Sequence, residues 1–233
     1  EAQAHGVEIS VFGANSVDGS FGGWLVQPDE KQRFLDRLAK QIELAHGLEC
    51  QKLIVLTGNE RDGVLQEVQF DAALETLAEA ADLAERENVM LVLEPLNNPV
   101  DHPGYFLGTS RMGFELIRRV GSPNLRLLYD IYHMQIAEGN LIATIRENMA
   151  LIGHFHSAGC PGRHEHFIGE IHYPNILREI IALGYDGTFG LEYFPTLESA
   201  QSLIQVRAHL DEARKQVNST TDLIHAEKPV SYE

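Results

Sequence analysis

Short apolar runs, each followed by a loop and an amphipathic segment, recur along the chain at residues 7–12, 52–56, 89–93, 125–129, 151–156 and 188–193. Most are rich in Val, Ile and Leu and alternate little, the pattern of strands buried on both faces. The segments between them have helical spacing. Phe34, Leu38 and Ile42 recur every fourth residue, with Pro28, Asp29 and Glu30 suited to a first turn and Gly47 to an end. Phe70, Leu74, Leu77, Ala81 and Ala84 form a second stripe. Thr109 or Ser110 can cap a third helix bearing Leu116, Ile117 and Val120, which Gly121 and Pro123 stop. A shorter helix rests on Leu141 and Ile145, and Pro174 opens another that Gly184 closes. A last helix is expected over 197–217, followed by a polar tail at 218–233, so residues 1–217 read as a single domain.

Strand alternating with helix predicts successive βαβ units and a parallel sheet. Neither the Gly-x-Gly-x-x-Gly dinucleotide fingerprint after the first run nor a phosphate-binding Gly-x-x-x-x-Gly-Lys-Ser/Thr occurs. Two architectures remain: an open six-stranded sheet, or a (β/α)8 barrel from which the first strand, first helix and second strand are absent.

Composition narrows the function. The chain of 233 residues carries 34 acidic against 18 basic side chains and a formal charge of −16, which argues against a nucleic-acid partner. No apolar run approaches the roughly 20 residues of a membrane span. Two cysteines, Cys50 and Cys160, are too few for a disulfide framework. With no basic and apolar leader at the start of the chain, a cytoplasmic location is expected.

Candidate chemistry lies at the carboxyl ends of the strands, where parallel α/β folds gather reactive groups. Four of the last five runs finish at a metal-ligand residue type: Glu94, Asp130, His156 and Glu192. One carboxylate after an apolar strand is explained by a cap or a salt bridge. Three carboxylates and one imidazole in matched positions predict a divalent cation site. Their donor set suits Mn²⁺, Mg²⁺ or Co²⁺, with Zn²⁺ also possible. Five of the eleven histidines fall between His154 and His172. His154 shares a strand face with His156 and is expected as a hydrogen-bonded core residue. Trp24 stands in a loop on the same side of the sheet, suited to covering a substrate or to plain packing.

Several stretches carry a family resemblance: Leu93-Glu94-Pro95-Leu96-Asn97, Asp101-His102-Pro103-Gly104-Tyr105, Tyr129-Asp130-Ile131-Tyr132-His133-Met134-Gln135, Pro161-Gly162-Arg163-His164-Glu165, Gly169-Glu170-Ile171-His172-Tyr173 and Gly190-Leu191-Glu192-Tyr193. Together, over about residues 7–200, they resemble the hydroxypyruvate isomerase family of xylose-isomerase-like TIM barrels, a group that also holds the ketose 3-epimerases and endonuclease IV. The resemblance implies a (β/α)8 barrel, with residue 7 entering its third strand. It implies one divalent ion on Glu94, Asp130, His156 and Glu192, and proton transfer by Glu94 and Glu192.

The expected reaction moves a carbonyl between adjacent carbons of a small hydroxy-carbonyl compound, as from hydroxypyruvate to tartronate semialdehyde. The metal would act as Lewis acid, the two glutamates as base and acid, and Asp130 and His156 as structural ligands. His133, expected in the loop after Asp130, and Arg163, in a Pro-Gly turn, are the candidate substrate contacts. The competing role for Arg163 is a salt bridge to Glu165 or Glu170. His156 stands where many hydroxypyruvate isomerases carry Gln and the epimerases carry His, so a ketose 3-epimerase is the alternative. A non-catalytic sugar-binding protein is the other, because a six-stranded partial barrel exposes two sheet edges and invites self-association.

Overall fold

The computed structural model describes residues 3–224. Six strands form one parallel sheet in chain order: β1 (Phe12–Gly13), β2 (Lys52–Val55), β3 (Met90–Leu93), β4 (Leu125–Asp130), β5 (Ile152–Ser157) and β6 (Phe189–Leu191). The helices between them are α1 (Lys31–Gly47), α2 (Gln66–Arg86), α3 (Ser110–Val120), α4 (Ile131–Ala137), α5 (Leu141–Asn148) and α6 (Tyr173–Ala182). The last, α7 (Ser199–Ile224), follows β6. Among the described residues no helix is long and apolar enough to cross a membrane.

Helical spacing sets what each helix buries. Phe34, Leu38, Ile42 and Ala45 form the inner face of α1, and Ala73, Leu77, Ala80, Ala81 and Ala84 that of α2. Thr109 caps α3 by accepting a hydrogen bond from Met112 N, and Gly121 closes it in the left-handed region at φ 72°. The strands β3 and β5 carry almost no exposed residue, so both faces are covered, one by the helices and one by the interior.

The sheet is strongly curved. Three inter-strand steps separate β2 from β5, roughly 14 Å in a flat sheet, yet Lys52 Nζ donates to the Gly153 carbonyl at 3.1 Å. Residues 6–10 beside β1 and Thr188 beside β6 line one common cleft, so the two edges bend toward each other as a barrel requires. This is the barrel reading, with six of its strands in place, and not the open sheet.

One irregularity interrupts the ladder. Leu127 pairs with Ile152, but the next residue, Leu128, pairs with His154, so Gly153 is an extra residue in β5. A Cβ on Gly153 would meet Arg126 Cβ at 2.9 Å and Met90 Sδ at 2.9 Å, so only glycine fits. Beyond this bulge Asp130 and His156 are partners.

Three expectations change. The first run, expected as a strand over 7–12, pairs only from Phe12, which lies opposite Leu53. Since β2 starts at Lys52, residues 7–10 extend past its end and find no ladder on that side. His133, expected in a loop, lies in the first turn of α4. The last helix continues beyond 217 to Ile224; residues 225–233 of the expected tail lie outside the described residues.

Candidate active site

Glu94 directly follows β3, Asp130 ends β4, His156 lies near the end of β5 and Glu192 directly follows β6. One ligand atom from each falls within 4.8 Å of all the others. Curvature is what makes this possible, because β3 and β6 are three strands apart. Backbone pairing fixes both flanking glutamates: Glu94 N donates to Val55 O at 3.1 Å and Glu192 N to Ser157 O at 3.0 Å. The Tyr105 hydroxyl further pins β3 by donating to Glu94 O at 2.9 Å.

Each ligand type is prepared differently. The Asp130 Oδ1 caps α4, accepting from Tyr132 N at 2.8 Å and His133 N at 3.3 Å. Its Oδ2 therefore remains for the cluster, 3.8 Å from Arg163 Nη2. His156 Nδ1 lies 3.0 Å from Glu192 Oε2 and 3.7 Å from Glu94 Oε1. Gly190, the partner of His156 in β6, leaves the space that the ring fills, since a Cβ there would lie 2.6 Å from His156 Cδ2.

The electrostatics describe a site with more negative charge than its own cations relieve. Burial raises the Glu94 carboxyl above its usual range, with the His156 contact opposing and the Glu192 charge adding. Burial and the Glu94 charge push Asp130 up to about 7. Burial alone would lower His156, but its contacts with Glu192 and Glu94 hold it at about 10. For Glu192, which is half exposed, burial is outweighed by His156 and Arg163, and the carboxyl falls to about 2. Two buried carboxyls driven toward neutrality beside an imidazole are relieved by a divalent cation, and three oxygens with one nitrogen form a hard-to-borderline donor set. The residues present fit such an ion.

Arg163 reaches the cluster from the loop after β5. Its Nη2 lies 2.8 Å from Glu192 Oε2, and its Nε donates to Glu192 O at 3.2 Å. The guanidinium sits 5.2 Å from the centre of the Tyr132 ring. Its backbone is left-handed at φ 57°, costly for a non-glycine residue and typical of functional turns. Glu165 and Glu170, the partners weighed from sequence, are engaged elsewhere. Glu165 is fully buried and accepts from Thr196 N (2.8 Å), Thr196 Oγ1 (2.9 Å), Leu197 N (3.3 Å) and Ser202 Oγ (2.8 Å). Glu170 accepts from Gln135. Glu165 thus ties the loop that carries Arg163 to the segment that follows Glu192.

His133 is fully buried, with Nε2 3.7 Å from Asp130 Oδ2. Burial and the nearby Arg163 charge lower it to about 3, so it is neutral at physiological pH. His154 is buried with Nδ1 3.2 Å from Thr188 Oγ1, the core role expected of it. Trp24 packs, donating from Nε1 to Val17 O at 2.9 Å. Sequence reasoning gave no role to Asn97 and weighed Glu165 only as a salt-bridge partner of Arg163; the signal for Asn97 was its place three residues after Glu94.

A family model described as "Xylose isomerase-like TIM barrel" matches residues 1–213. The 2-oxo-tetronate isomerase of Cupriavidus necator is 33% identical over 215 residues, covering 89% of this chain and 80% of its own length. The hydroxypyruvate isomerase of Escherichia coli is 36% identical over 168 residues, covering 72% of this chain and 65% of its own. Among solved structures, an AP endonuclease, family 2, from Brucella melitensis superposes with a TM-score of 0.81 at 27% identity, covering 87% of this chain and 78% of its own. A match spanning nearly the whole chain, on a curved parallel sheet with its polar cluster at the strand ends, shows that this protein belongs to the xylose isomerase-like TIM barrel family.

Proposed function

We propose that this protein is a cytoplasmic, divalent-metal-dependent isomerase of a small hydroxy-keto acid, with hydroxypyruvate and 2-hydroxy-3-oxopropanoate as the substrate pair. The observation that carries this reading is the meeting of Glu94 and Glu192, from strands three apart, at a cluster with Asp130 and His156. The names of the Cupriavidus and Escherichia relatives support the substrate class. Two free, buried cysteines suit a reducing compartment.

An ion held by Glu94, Asp130, His156 and Glu192 would polarise the substrate carbonyl as a Lewis acid. Glu94 and Glu192 divide the proton transfer: one takes the proton from the hydroxymethyl carbon, and a proton is returned to the neighbouring carbon as the carbonyl moves outward. The hydroxyl proton passes between the two substrate oxygens in the same step, so atoms and charge balance. Arg163 offers a planar, multi-donor cation to the substrate carboxylate, and His133 faces a substrate oxygen beside Asp130. Asp130 and His156 hold the geometry.

Turnover of hydroxypyruvate and 2-oxo-tetronate with Mn²⁺ or Mg²⁺ tests the reading, with a ketohexose panel alongside because His156 favours the epimerase alternative. Glu192→Gln should lower kcat by about 10²–10⁴-fold and leave ligand binding in place. Retained turnover in that variant overturns the two-carboxylate mechanism. Ligand binding without turnover on any of these compounds would favour the sugar-binding alternative.

A further inference from the structure

Asn97 lies in the loop after β3, and its side-chain amide has every polar position assigned. The Oδ1 accepts from Val100 N at 3.1 Å and Asp101 N at 3.0 Å. That orientation turns Nδ2 the other way, where it meets Asp101 Oδ2 at 2.7 Å and His133 Nδ1 at 2.7 Å. An amide nitrogen has two hydrogens and no lone pair to offer, so both contacts are donations. The Asn97 backbone N–H also points at His133 Nδ1, at 3.3 Å. The ring nitrogen therefore receives two N–H groups, and a proton of its own would collide with both. The Asp101 carboxylate, the group that would call for a proton on Nδ1, is 4.0 Å away, beyond hydrogen-bond reach.

We propose that Asn97 is a positioning residue that fixes His133 as the neutral Nε2–H tautomer, making it an N–H donor to a substrate oxygen beside Asp130. His133 Nε2 is buried and has no hydrogen-bond partner among the described residues; the Asp130 Oδ2 carboxylate oxygen is 3.7 Å away, beyond hydrogen-bond reach. A buried donor without a partner is unfavourable, so it stands prepared for an acceptor that arrives with the substrate. In a reaction that moves a carbonyl, that acceptor is the oxygen on which negative charge grows. A neutral imidazole N–H can stabilise such an oxygen without giving up its proton, and the bond at the other ring nitrogen selects which tautomer does so. The inference rests on the isomerase reading for the identity of the acceptor, but the tautomer itself does not.

The test has two arms. In protein labelled with ¹⁵N-histidine, long-range proton–nitrogen correlation spectra at pH 7 should show His133 Nε2 pyrrole-like and Nδ1 pyridine-like. The paired exchange Asn97→Asp with Asp101→Asn keeps the turn's acceptor and the contact between the two side chains, yet presents His133 Nδ1 with a carboxylate; Nδ1 should then become protonated. A proton on Nδ1 in the wild type, or an Nδ1 still bare in the paired variant, overturns the role of Asn97 whether or not the protein turns over any substrate. In the second arm, His133→Gln places an amide N–H near Nε2, and His133→Asn places one near Nδ1. His133→Gln should keep kcat within about tenfold of wild type, while His133→Asn should lose about 10²-fold with little change in KM. Equal activity of the two, or the reverse order, refutes donation from Nε2.

Discussion

Replacing Gly190 by alanine probes how closely the sheet is fitted to the His156 ring. The new methyl carbon would lie 2.6 Å from His156 Cδ2 and 3.2 Å from its Nε2, with the Phe155 carbonyl oxygen at 3.3 Å. Carbon atoms in contact prefer about 3.5–4.0 Å, so the imidazole must retreat by about 1 Å. Metal–ligand distances tolerate only about 0.2 Å. The ring cannot slide sideways, because Glu192 and Glu94 stand at 3.0 and 3.7 Å and the His154 ring at 5.0 Å between centres. The expected result is a Kd for Mn²⁺ raised about 10²-fold, or about 2.7 kcal/mol, read by isothermal titration calorimetry. Gly190 is not among the left-handed glycines, so its backbone accepts alanine, and the entropy lost by the unfolded chain offsets about 0.4–1 kcal/mol of the crowding. The metal-free variant should therefore still fold, with overpacking costing about 1–3 kcal/mol in its melt. Gly47→Ala, where nothing lies within 4 Å of the added carbon, is the control. A folded Gly190→Ala protein that binds Mn²⁺ within about threefold of wild type would refute the assignment of His156 as a ligand.

Metal affinity should rise with pH, since Asp130 at about 7 and His156 at about 10 each hold a proton that a bound ion displaces. Titrations at several pH values should show a change of up to about tenfold per unit for each proton, steeper below pH 7 than between 7 and 10; a flat profile would count against the site. The same groups make the metal-free protein lose stability as pH rises. The folded Asp130 keeps a proton above its ordinary 3.8 that the unfolded chain has already released, and that contribution fades as pH climbs through about 7. Thermal melts of metal-free protein at pH 5 and 8 check this sign. Glu165→Ala strips four hydrogen bonds from the segment after Glu192 and should cost about 1–3 kcal/mol in denaturant unfolding. Faster amide exchange at Thr196 and Leu197 should accompany it, and unchanged exchange there would show that the clamp is held by other contacts.

Legibility in the sequence followed burial. Strands covered on both faces, such as β3 and β5, are continuous apolar runs, and their end residues could be compared position by position; that comparison drew Glu94, Asp130, His156 and Glu192 together. The helix α4 was invisible for a related reason. Ile131, Tyr132, His133 and Met134 are all buried, so no polar face marks a period, and its capping residue is Asp130, already read as a candidate ligand. The partner of Arg163 was sought among nearby acids, Glu165 and Glu170, whereas the curved sheet delivers Glu192 from the neighbouring strand. Glu165 acts by hydrogen bonds to groups that only the tertiary fold brings to it, and Asn97 reaches His133 in the same way, although its place three residues after Glu94 sets it beside the site.

The extra residue at Gly153 makes the site a matter of odd and even. Were Gly153 paired in a regular ladder instead of standing out as a bulge, the pairing that begins at Leu127 with Ile152 would set Asp130 against Phe155, and the imidazole would change sides with every residue after it. The strand would be smoother, its ladder unbroken and its hydrogen bonding no poorer. A benzyl group would then project where the cluster needs nitrogen. A slip of register by a single residue, the smallest a ladder can suffer, would thus exchange a polar centre for an apolar one while keeping nearly all of the fold, whereas removing the glycine outright would leave Asp130 opposite His156. Regularity of the sheet and polarity of its mouth are opposed here, and the chain keeps the irregular solution.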